Sequence, residues 1–171
     1  LSDGDILNSV LKISNAGIPN IKLYFMIGLP NETEEDVDAI INLVTQSRKI
    51  HSEAGGKRLN LSLSTFIPKA NTPLQWSSMA DTVVLNDRIS RLRRELAPLG
   101  VRISAESPAW SQIQAVLARG GEELVEIINQ AKQPTLARWK SLVVEYGIDI
   151  KRYQKDWPVE SKLPWSFIDL G

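Results

Sequence analysis

Cysteine is absent from the 171 residues, and His51 is the only histidine. Without these ligands the chain cannot form a zinc finger, hold an iron–sulfur cluster by itself or pair a cysteine with a histidine for nucleophilic catalysis. A Ser–His–Asp triad would have to use His51. This histidine lies in the polar stretch SRKIHSEAGGKR after a predicted helix, so we interpret it as a solvated surface residue.

An excess of charge of one sign and long hydrophobic runs are also missing. The 20 Lys and Arg residues balance 20 Asp and Glu residues, so no net field attracts nucleic acids or anionic membranes. The longest apolar run, around Leu23 to Pro30, is far shorter than the roughly 18 residues that a membrane helix needs. We therefore expect a soluble, cytoplasmic protein with no membrane partner. Because the chain begins at Leu1 rather than Met, we also expect a piece of a longer protein.

Hydrophobic periodicity predicts alternating helices and strands through residue 105. Ser2 or Asp3 caps the first helix, and Thr33 with Asp36 forms a capping-box pattern before the second. The predicted elements are a helix within 2–17, a strand over 21–29, a helix after 33, a strand over 58–66, a helix over 82–98 and a short strand over 101–105. This order is typical of βαβ units and predicts an α/β fold with a parallel sheet or barrel.

The second predicted strand has two chemically different faces. One face carries Leu59, Leu61 and Leu63, and the other carries Asn60, Ser62 and Ser64. A parallel strand that is covered by helices on both faces should be apolar on both. The pattern suits a barrel wall with helices outside and a wet cavity inside. It suits an edge strand exposed to water equally well, so both alternatives remain open.

The chain changes character after residue 104. We predict an α/β region over 1–104 and a helical carboxyl-terminal extension over 105–171, which ends in a tail that contains Trp and Pro. The extension shows no catalytic motif. Its four tryptophans are interpreted as core and docking anchors rather than as a cofactor box: Trp110, Trp139, Trp157 and Trp165.

The loops after the first two predicted strands form the candidate site, because ligands of parallel α/β folds lie at the carboxyl ends of the strands. After the first strand, Gly28 lets a flat group approach the backbone, and Glu32 can accept hydrogen bonds from a ligand. An ordinary strand-to-helix turn explains the same residues. A phosphate-binding loop is disfavoured, because the glycine-rich phosphate motifs do not occur.

After the second strand, Phe66 can stack on an aromatic ligand. Lys69 is confined between Pro68 and Pro73, which keeps its charge near the predicted mouth of the cavity, and Asn71 follows it. We therefore assign Lys69 and Asn71 to substrate binding. A loop that is stiffened by proline and carries a solvated lysine is the alternative.

The two strand ends resemble a known superfamily. LYFMIGLPNETEEDV, followed by STFIPKANTPLQW, resembles the fifth and sixth strand–helix units of radical S-adenosylmethionine proteins. FIPKANTPLQW, AVLARGG and LPWSFIDLG are similar to a subgroup of that superfamily with an amino-terminal cobalamin-binding-like domain. The resemblance spans nearly the whole chain. The first motif is shared broadly across the superfamily, whereas the later motifs are more specific.

The resemblance implies the carboxyl-terminal half of a partial (β/α)6 barrel, followed by a helical extension. The missing amino-terminal part of the same protein would carry the CxxxCxxC motif, which holds a four-iron four-sulfur cluster. In the superfamily this cluster binds S-adenosylmethionine and cleaves it by one-electron reduction, and the resulting 5′-deoxyadenosyl radical abstracts hydrogen from the substrate. Cobalamin is a further candidate cofactor of the subgroup. Residues that match the adenosine-contacting positions are Met26, Ile27, Gly28, Ser64 and Phe66.

The sequence therefore predicts a fragment of a radical S-adenosylmethionine enzyme that is inactive alone, since the cluster-binding half is absent. Apolar edges of the broken barrel around Phe25 and Leu61 would make the fragment prone to dimerise. One alternative is a non-catalytic α/β binding module with a Trp-rich docking tail. Another is an RNA-modifying enzyme with a basic cluster that is more simply explained as a solvated surface: Arg88, Arg91, Arg93 and Arg94.

Overall fold

The computed structural model describes residues 2–132 and 135–168. Seven α-helices and three β-strands occur in this part of the chain, and short 3-10 helices follow α3 and precede α5. In chain order they are α1 (Asp3–Asn15), β1 (Asn20–Ile27), α2 (Glu34–Glu53), β2 (Arg58–Thr65), α3 (Thr82–Leu96), β3 (Arg102–Ala105), α4 (Pro108–Arg119), α5 (Val125–Gln130), α6 (Leu136–Glu145) and α7 (Ile150–Gln154). The predicted helices and strands up to residue 105 are confirmed within a few residues at their ends, whereas α7 was not predicted.

These elements form two compact units. The sheet unit contains residues 2–27, 31–64 and 83–106. The helical unit contains residues 28–30, 65–82 and the described residues from 107 onward. The predicted division of the chain at residue 104 stays a prediction.

The sheet has the order β1–β2–β3, so β2 is its central strand. Strands β2 and β3 pair in parallel, with Leu61 opposite Ile103. Strands β1 and β2 also run in the same direction: the N–H of Arg58 donates to Pro19 O (3.1 Å) where the strands begin. The α/β class with a parallel sheet is confirmed. The alternative that β2 is a water-exposed edge strand is wrong.

The two faces of the sheet differ in burial, as the alternation predicts. Leu59, Leu61 and Leu63 are buried, and α1, α2 and α3 of the same unit each bury an apolar stripe. The expectation that Leu61 exposes apolar surface is wrong, because Leu61 is fully buried. Phe25, on the edge strand β1, is half-buried and leaves part of its surface exposed. The exposed apolar side chains of β1 are instead Tyr24 and Met26, on the other face.

Local signals set the starts of two helices. Ser2 caps α1 as predicted, and its hydroxyl accepts from the N–H of Asp5 at 3.2 Å while the Asp5 carboxylate accepts from the N–H of Ser2 at 2.8 Å. At the start of α2 the Asp36 carboxylate accepts from the N–H of Thr33 at 2.8 Å. Both acids lie at the positive end of a helix, so they also interact favourably with its dipole.

His51 is completely buried, so its interpretation as a solvated surface residue is wrong. Its Nδ1 lies 2.8 Å from Ser14 Oγ, and its Nε2 lies 3.2 Å from Pro19 O. A carbonyl oxygen only accepts, so Nε2 carries the proton. The imidazole thereby ties α2 to α1 and to the chain just before β1. A signal for this burial was present, because His51 continues the helical stripe of Val44 and Ser47.

The helical unit has its own apolar core. Helices α4, α5, α6 and α7 all contribute to it, and the buried residues are Ile113, Val116, Leu124, Ile127, Trp139, Leu142, Val143 and Tyr153. Residues 65–82 join this unit through backbone bonds, since the N–H of Met79 donates to Gln154 O at 2.9 Å. The N–H of Trp157 likewise donates to Trp76 O at 2.8 Å.

The packing around His51 generates a test at Gly56. A Cβ atom at Gly56 would lie 2.1 Å from Cε1 of His51, which has no free space to move into. We expect Gly56→Ala to lower the free energy of unfolding by about 1–3 kcal/mol, the usual cost of overpacking. Urea denaturation followed by circular dichroism measures this change.

The matched control is Gly4→Ala in α1, where the new Cβ would meet only Ser2 Oγ at 3.7 Å. Alanine is the better helix former, so this variant should be unchanged or more stable by up to about 1 kcal/mol. Equal stability of the two variants would show that the His51 ring does not fill the space beside Gly56.

Candidate functional site

A hydroxyl-rich surface covers the open face of the sheet unit. We call this surface the polar face, and it consists of Tyr24, Met26, Asn60, Ser62, Ser64 and Ser104. Toward the carboxyl ends of the strands it forms a shallow pocket of about 290 Å³, which also includes Glu106. The carboxyl end of a parallel sheet is where ligands of α/β folds bind, so this pocket is the candidate site of the unit.

The serine hydroxyls of the polar face make only long hydrogen bonds to the protein. Ser64 Oγ is 3.4 Å from Phe25 O, and Ser104 Oγ is 3.3 Å from Ser62 Oγ and 3.4 Å from Leu61 O. Bonds near 3.4 Å are weak, so these hydroxyls are available to donate to a ligand or accept from one. The arrangement offers a hydrogen-bonding wall that also carries charge, since Lys22 and Arg102 share this face by strand alternation and Glu106 lies in the pocket. The hydrogen bonds found on it place no base beside a serine.

The structure places the predicted adenosine-contacting residues of the sheet unit on both faces of the sheet. Met26 is 46% exposed on the polar face, and Ser64 lines the pocket. Ile27 is fully buried on the opposite face, which leaves its backbone as the part that can meet a ligand. Thus Met26 and Ser64 share the candidate surface, and all three assignments stay predictions.

The other predicted site residues belong to the helical unit. Gly28 is buried and has φ of 80°, a left-handed conformation that glycine adopts without strain. Phe66 is buried, whereas Lys69 and Asn71 are exposed. The loop that carries Lys69 is ordered by its own bonds, since Thr72 Oγ1 donates to Lys69 O at 2.8 Å. The binding roles of these four residues stay predictions.

Glu32 is not an open acceptor for a ligand, which corrects the sequence interpretation. Its side chain is 5% exposed, and its carboxylate accepts a hydrogen bond from Nη1 of Arg88. Nη2 of Arg88 donates to the backbone O of Glu32 at 2.9 Å, and its Nε donates to Glu34 Oε1 at 3.0 Å. Arg88 therefore fixes the chain that leads into α2.

Two of the four arginines in the basic cluster of α3, Arg88 and Arg91, pair with acids at and before the start of α2, whereas Arg93 and Arg94 are exposed. Arg88 is 8% exposed, so its interpretation as a solvated residue is wrong. Arg91 contacts Glu34 Oε2 at 3.0 Å and also pairs with Asp38. These ion pairs form because residues at the start of α2 lie close to α3 in the folded chain. The spacing of residues within α3 alone does not indicate them.

The tryptophans of the extension differ in exposure. Trp139 lies in the core of the helical unit, which confirms its interpretation as a core residue. Trp165 is also buried, and its ring stacks on Trp157 with the centroids 6.0 Å apart. Trp110 is 37% exposed.

Within residues 2–132 and 135–168, no group of three or more His, Cys, Asp and Glu side chains is placed to hold a metal ion. Nor does any helix of this part of the chain have the length and apolar character required to cross a membrane.

Comparison with known proteins gives one informative match. The chain is 30% identical over 135 residues to an uncharacterised protein of Methanocaldococcus jannaschii. The match covers 79% of this chain but only 29% of the relative, so the chain spans less than a third of the length of the protein it matches. No family model matches the sequence, and no solved structure matches it.

Arg88 gives a test of the network that orders the start of α2. Arg88→Met removes the guanidinium that pairs with the buried carboxylate of Glu32, so we expect the free energy of unfolding to fall by about 3–5 kcal/mol. Arg93→Met, an exposed position on the same helix, should change it by less than about 0.5 kcal/mol. Denaturant unfolding measures both changes, and equal effects would mean that the Arg88 pair contributes nothing specific.

The same variant has an expected pH signature. The hydrogen bond from Arg88 holds the pKa of Glu34 below its ordinary value of 4.5. The ionised Glu34 therefore stabilises the fold at pH values above its ordinary pKa of 4.5. This contribution is lost as the pH falls through the lowered pKa of the folded state. In Arg88→Met the pKa of Glu34 should rise toward the ordinary value, which NMR titration of the Glu34 carboxyl carbon would detect.

Proposed function

We propose that this chain forms part of the barrel of a radical S-adenosylmethionine enzyme, in which the polar face lines the cavity. The sequence resemblance suggests the family. The observation that carries the proposal is the one-sided sheet: its central strand β2 buries three leucines on one face, and all three parallel strands present hydroxyl groups on the other.

A one-sided parallel sheet favours a barrel wall over an open doubly wound sheet. An open sheet is covered by helices on both faces and is apolar on both, whereas the half-buried residues of β2 are Asn60, Ser62 and Ser64. In a barrel the inner face borders the ligand cavity, and the functional groups lie at the carboxyl ends of the strands. The pocket that includes Ser64 and Glu106 lies at those ends.

The residues on the polar face fit one part of the implied cofactor. Met26 offers a polarisable apolar surface for a flat base, and the Ser64 hydroxyl can bond a ribose hydroxyl or a ring nitrogen. These residues would bind and orient the adenosine group and exclude water from it. When bound, S-adenosylmethionine and a four-iron four-sulfur cluster supply one-electron reductive chemistry. This chain has no cysteine for the cluster, so the ligands must come from the rest of a longer protein.

Two alternatives have less support from the structure. A docking tail would need several exposed tryptophans, but Trp139 and Trp165 are buried within the helical unit and only Trp110 of the four is exposed. An RNA-binding cluster would need several free cations on α3, but Arg88 and Arg91 are paired with acids, which leaves only Arg93 and Arg94 exposed on this helix. We therefore favour the enzyme over the non-catalytic module and over the RNA-modifying enzyme.

The proposal is tested in the natural protein that contains this chain. We expect a CxxxCxxC motif upstream of residue 1, an electron paramagnetic resonance signal of a reduced four-iron cluster after anaerobic reconstitution, and reductive cleavage of S-adenosylmethionine. A natural protein that lacks the three-cysteine motif would overturn the proposal.

Ser64 provides a sharper test of the polar face. Ser64→Leu adds bulk where adenosine is expected and removes a hydroxyl, so we expect the affinity of the reconstituted protein for S-adenosylmethionine to fall by about tenfold or more. Equilibrium dialysis with the labelled cofactor measures the affinity.

Asn60→Leu is the matched control for Ser64→Leu. Asn60 lies on the same strand and the same face, but near the amino end of β2, about 13 Å from Ser64 at the usual rise per residue. This control should bind the cofactor like the unaltered protein. Equal losses in both variants would mean that the face matters only for folding, and no loss in either would remove Ser64 from the site.

Lys69 gives an independent test of the substrate side. Its exposed charge lies on an ordered loop, so we expect Lys69→Met to weaken substrate binding several-fold, an effect of about 1 kcal/mol. Reductive cleavage of S-adenosylmethionine without substrate should stay unchanged. Formation of 5′-deoxyadenosine is measured beside formation of product. If both fall together, Lys69 acts on the cofactor or the fold, and if neither changes, it is a solvated surface residue.

A further inference from the structure

The helical unit contains a groove of about 1150 Å³ that the proposed function does not use. This volume is slightly above the usual range of about 300–1,000 Å³ for small-molecule sites. Residues that line it and matter for its chemistry are Arg119, Lys155, Trp157, Lys162 and Trp165. The groove therefore combines a flat aromatic wall with four cations and four acids. These charged residues are Arg119, Arg152, Lys155 and Lys162, and Glu122, Glu123, Asp149 and Asp156.

Arg119 is a fully buried cation at this groove. Its Nη1 donates to three backbone oxygens: Ser77 O at 3.2 Å, Tyr153 O at 3.0 Å and Lys155 O at 2.8 Å. The guanidinium lies 4.0 Å from the ring centroid of Trp157, a cation–π distance. These contacts fix one end of the guanidinium and hold the group in a single orientation.

The remaining donors of Arg119 have no partner among the described residues. Nε and Nη2 are both buried, and neither makes a hydrogen bond. These two nitrogens lie on the same edge of the guanidinium, where their N–H groups form a fork that matches the two oxygens of a carboxylate or phosphate. Two unpaired donors on one buried cation cost free energy, so their persistence points to a partner.

The electrostatics around Arg119 agree with a missing counter-ion. Burial lowers the pKa of Arg119 to about 10, an effect that the nearby Asp156 only partly opposes. Asp156 is itself engaged, because its Oδ1 accepts from the N–H of Ser78 at 2.6 Å. Arg119 takes part in none of the ion pairs found within the described ranges.

We propose that the groove binds a small oxyanion, carried by a carboxylate or a phosphate group, through the Nε and Nη2 fork of Arg119. Lys155 and Lys162 add positive charge along the groove, and the stacked rings of Trp157 and Trp165 provide a wall for a planar body. Both nitrogens are buried away from bulk water, so a ligand must displace the side chains that cover them in order to bind. Binding therefore changes the environment of Trp157.

The test uses the 171-residue chain and two probes, sodium benzoate and inorganic phosphate, each titrated against sodium chloride at constant ionic strength. NMR cross-peaks of Arg Nε–H and of the Trp indole N–H report directly on the fork and on Trp157. We expect one or both probes to shift the Arg119 Nε–H and Trp157 signals saturably, with a dissociation constant of about 1 mM or tighter. Benzoate alone indicates a planar carboxylate, and phosphate alone indicates a phosphate ligand.

Arg119→Lys keeps the charge but removes the fork, so it should weaken binding by about tenfold or more. Arg138→Lys on α6, which is exposed in the same unit, is the control and should bind like the unaltered chain. The proposal is overturned if neither probe shifts the two signals of the unaltered chain saturably. It is also overturned if Arg119→Lys binds as tightly as that chain. Should Arg119→Lys fail to fold, the titration of the unaltered chain decides alone.

Discussion

Parallel pairing of β2 with strands on both sides is the constraint on which the sheet unit depends. A strand held by two neighbours cannot rotate, so its alternating side chains are committed to opposite faces. The leucines take the face toward the helices, and this apolar layer gives α1, α2 and α3 a surface on which to bury their stripes. Asn60, Ser62 and Ser64 are left on the opposite face by the same geometry. The candidate site is thus a consequence of the register that forms the core.

Two buried arginines show how the units handle charge differently. Arg88 is paired with two carboxylates and one backbone oxygen, so its burial is compensated within the sheet unit. Arg119 has three backbone acceptors on one nitrogen and none on the other two. The first arrangement is that of a structural anchor. The second arrangement leaves two donors of a buried cation without a partner beside a groove. We therefore expect a ligand in the helical unit.

Sequence patterns predicted the features that depend on neighbours in the chain. The alternation along β2, the cap at Ser2 and the capping residues Thr33 and Asp36 are all local, and the structure confirms them. Contacts between segments that are distant in the sequence could not be predicted from such local patterns. The Glu32–Arg88 pair joins residues that are far apart in sequence, and nothing around either residue indicates the other.

Only part of the polar face could be predicted from the sequence. Its serines follow from the alternation, but whether they border a wet cavity or a bare edge depends on strand order, which no single strand encodes. The burial of His51 could have been predicted, since His51 continues the buried stripe of α2. Its polar neighbours in the sequence instead favoured a surface position. The grouping of residues 65–82 with the helices depends on backbone bonds to Gln154 and Trp157, which have no sequence pattern.

The division of the chain between the units has a consequence for the order in which they fold during synthesis. All residues of the sheet unit have been made once the ribosome reaches residue 106. Residues 65–82 are made by then as well, but their partners, such as Gln154 for Met79 and Trp157 for Trp76, emerge much later. This segment therefore lacks these backbone partners until residues 154 and 157 have been synthesised. The interval is a period of vulnerability to proteases and to chaperone capture that the finished protein no longer has.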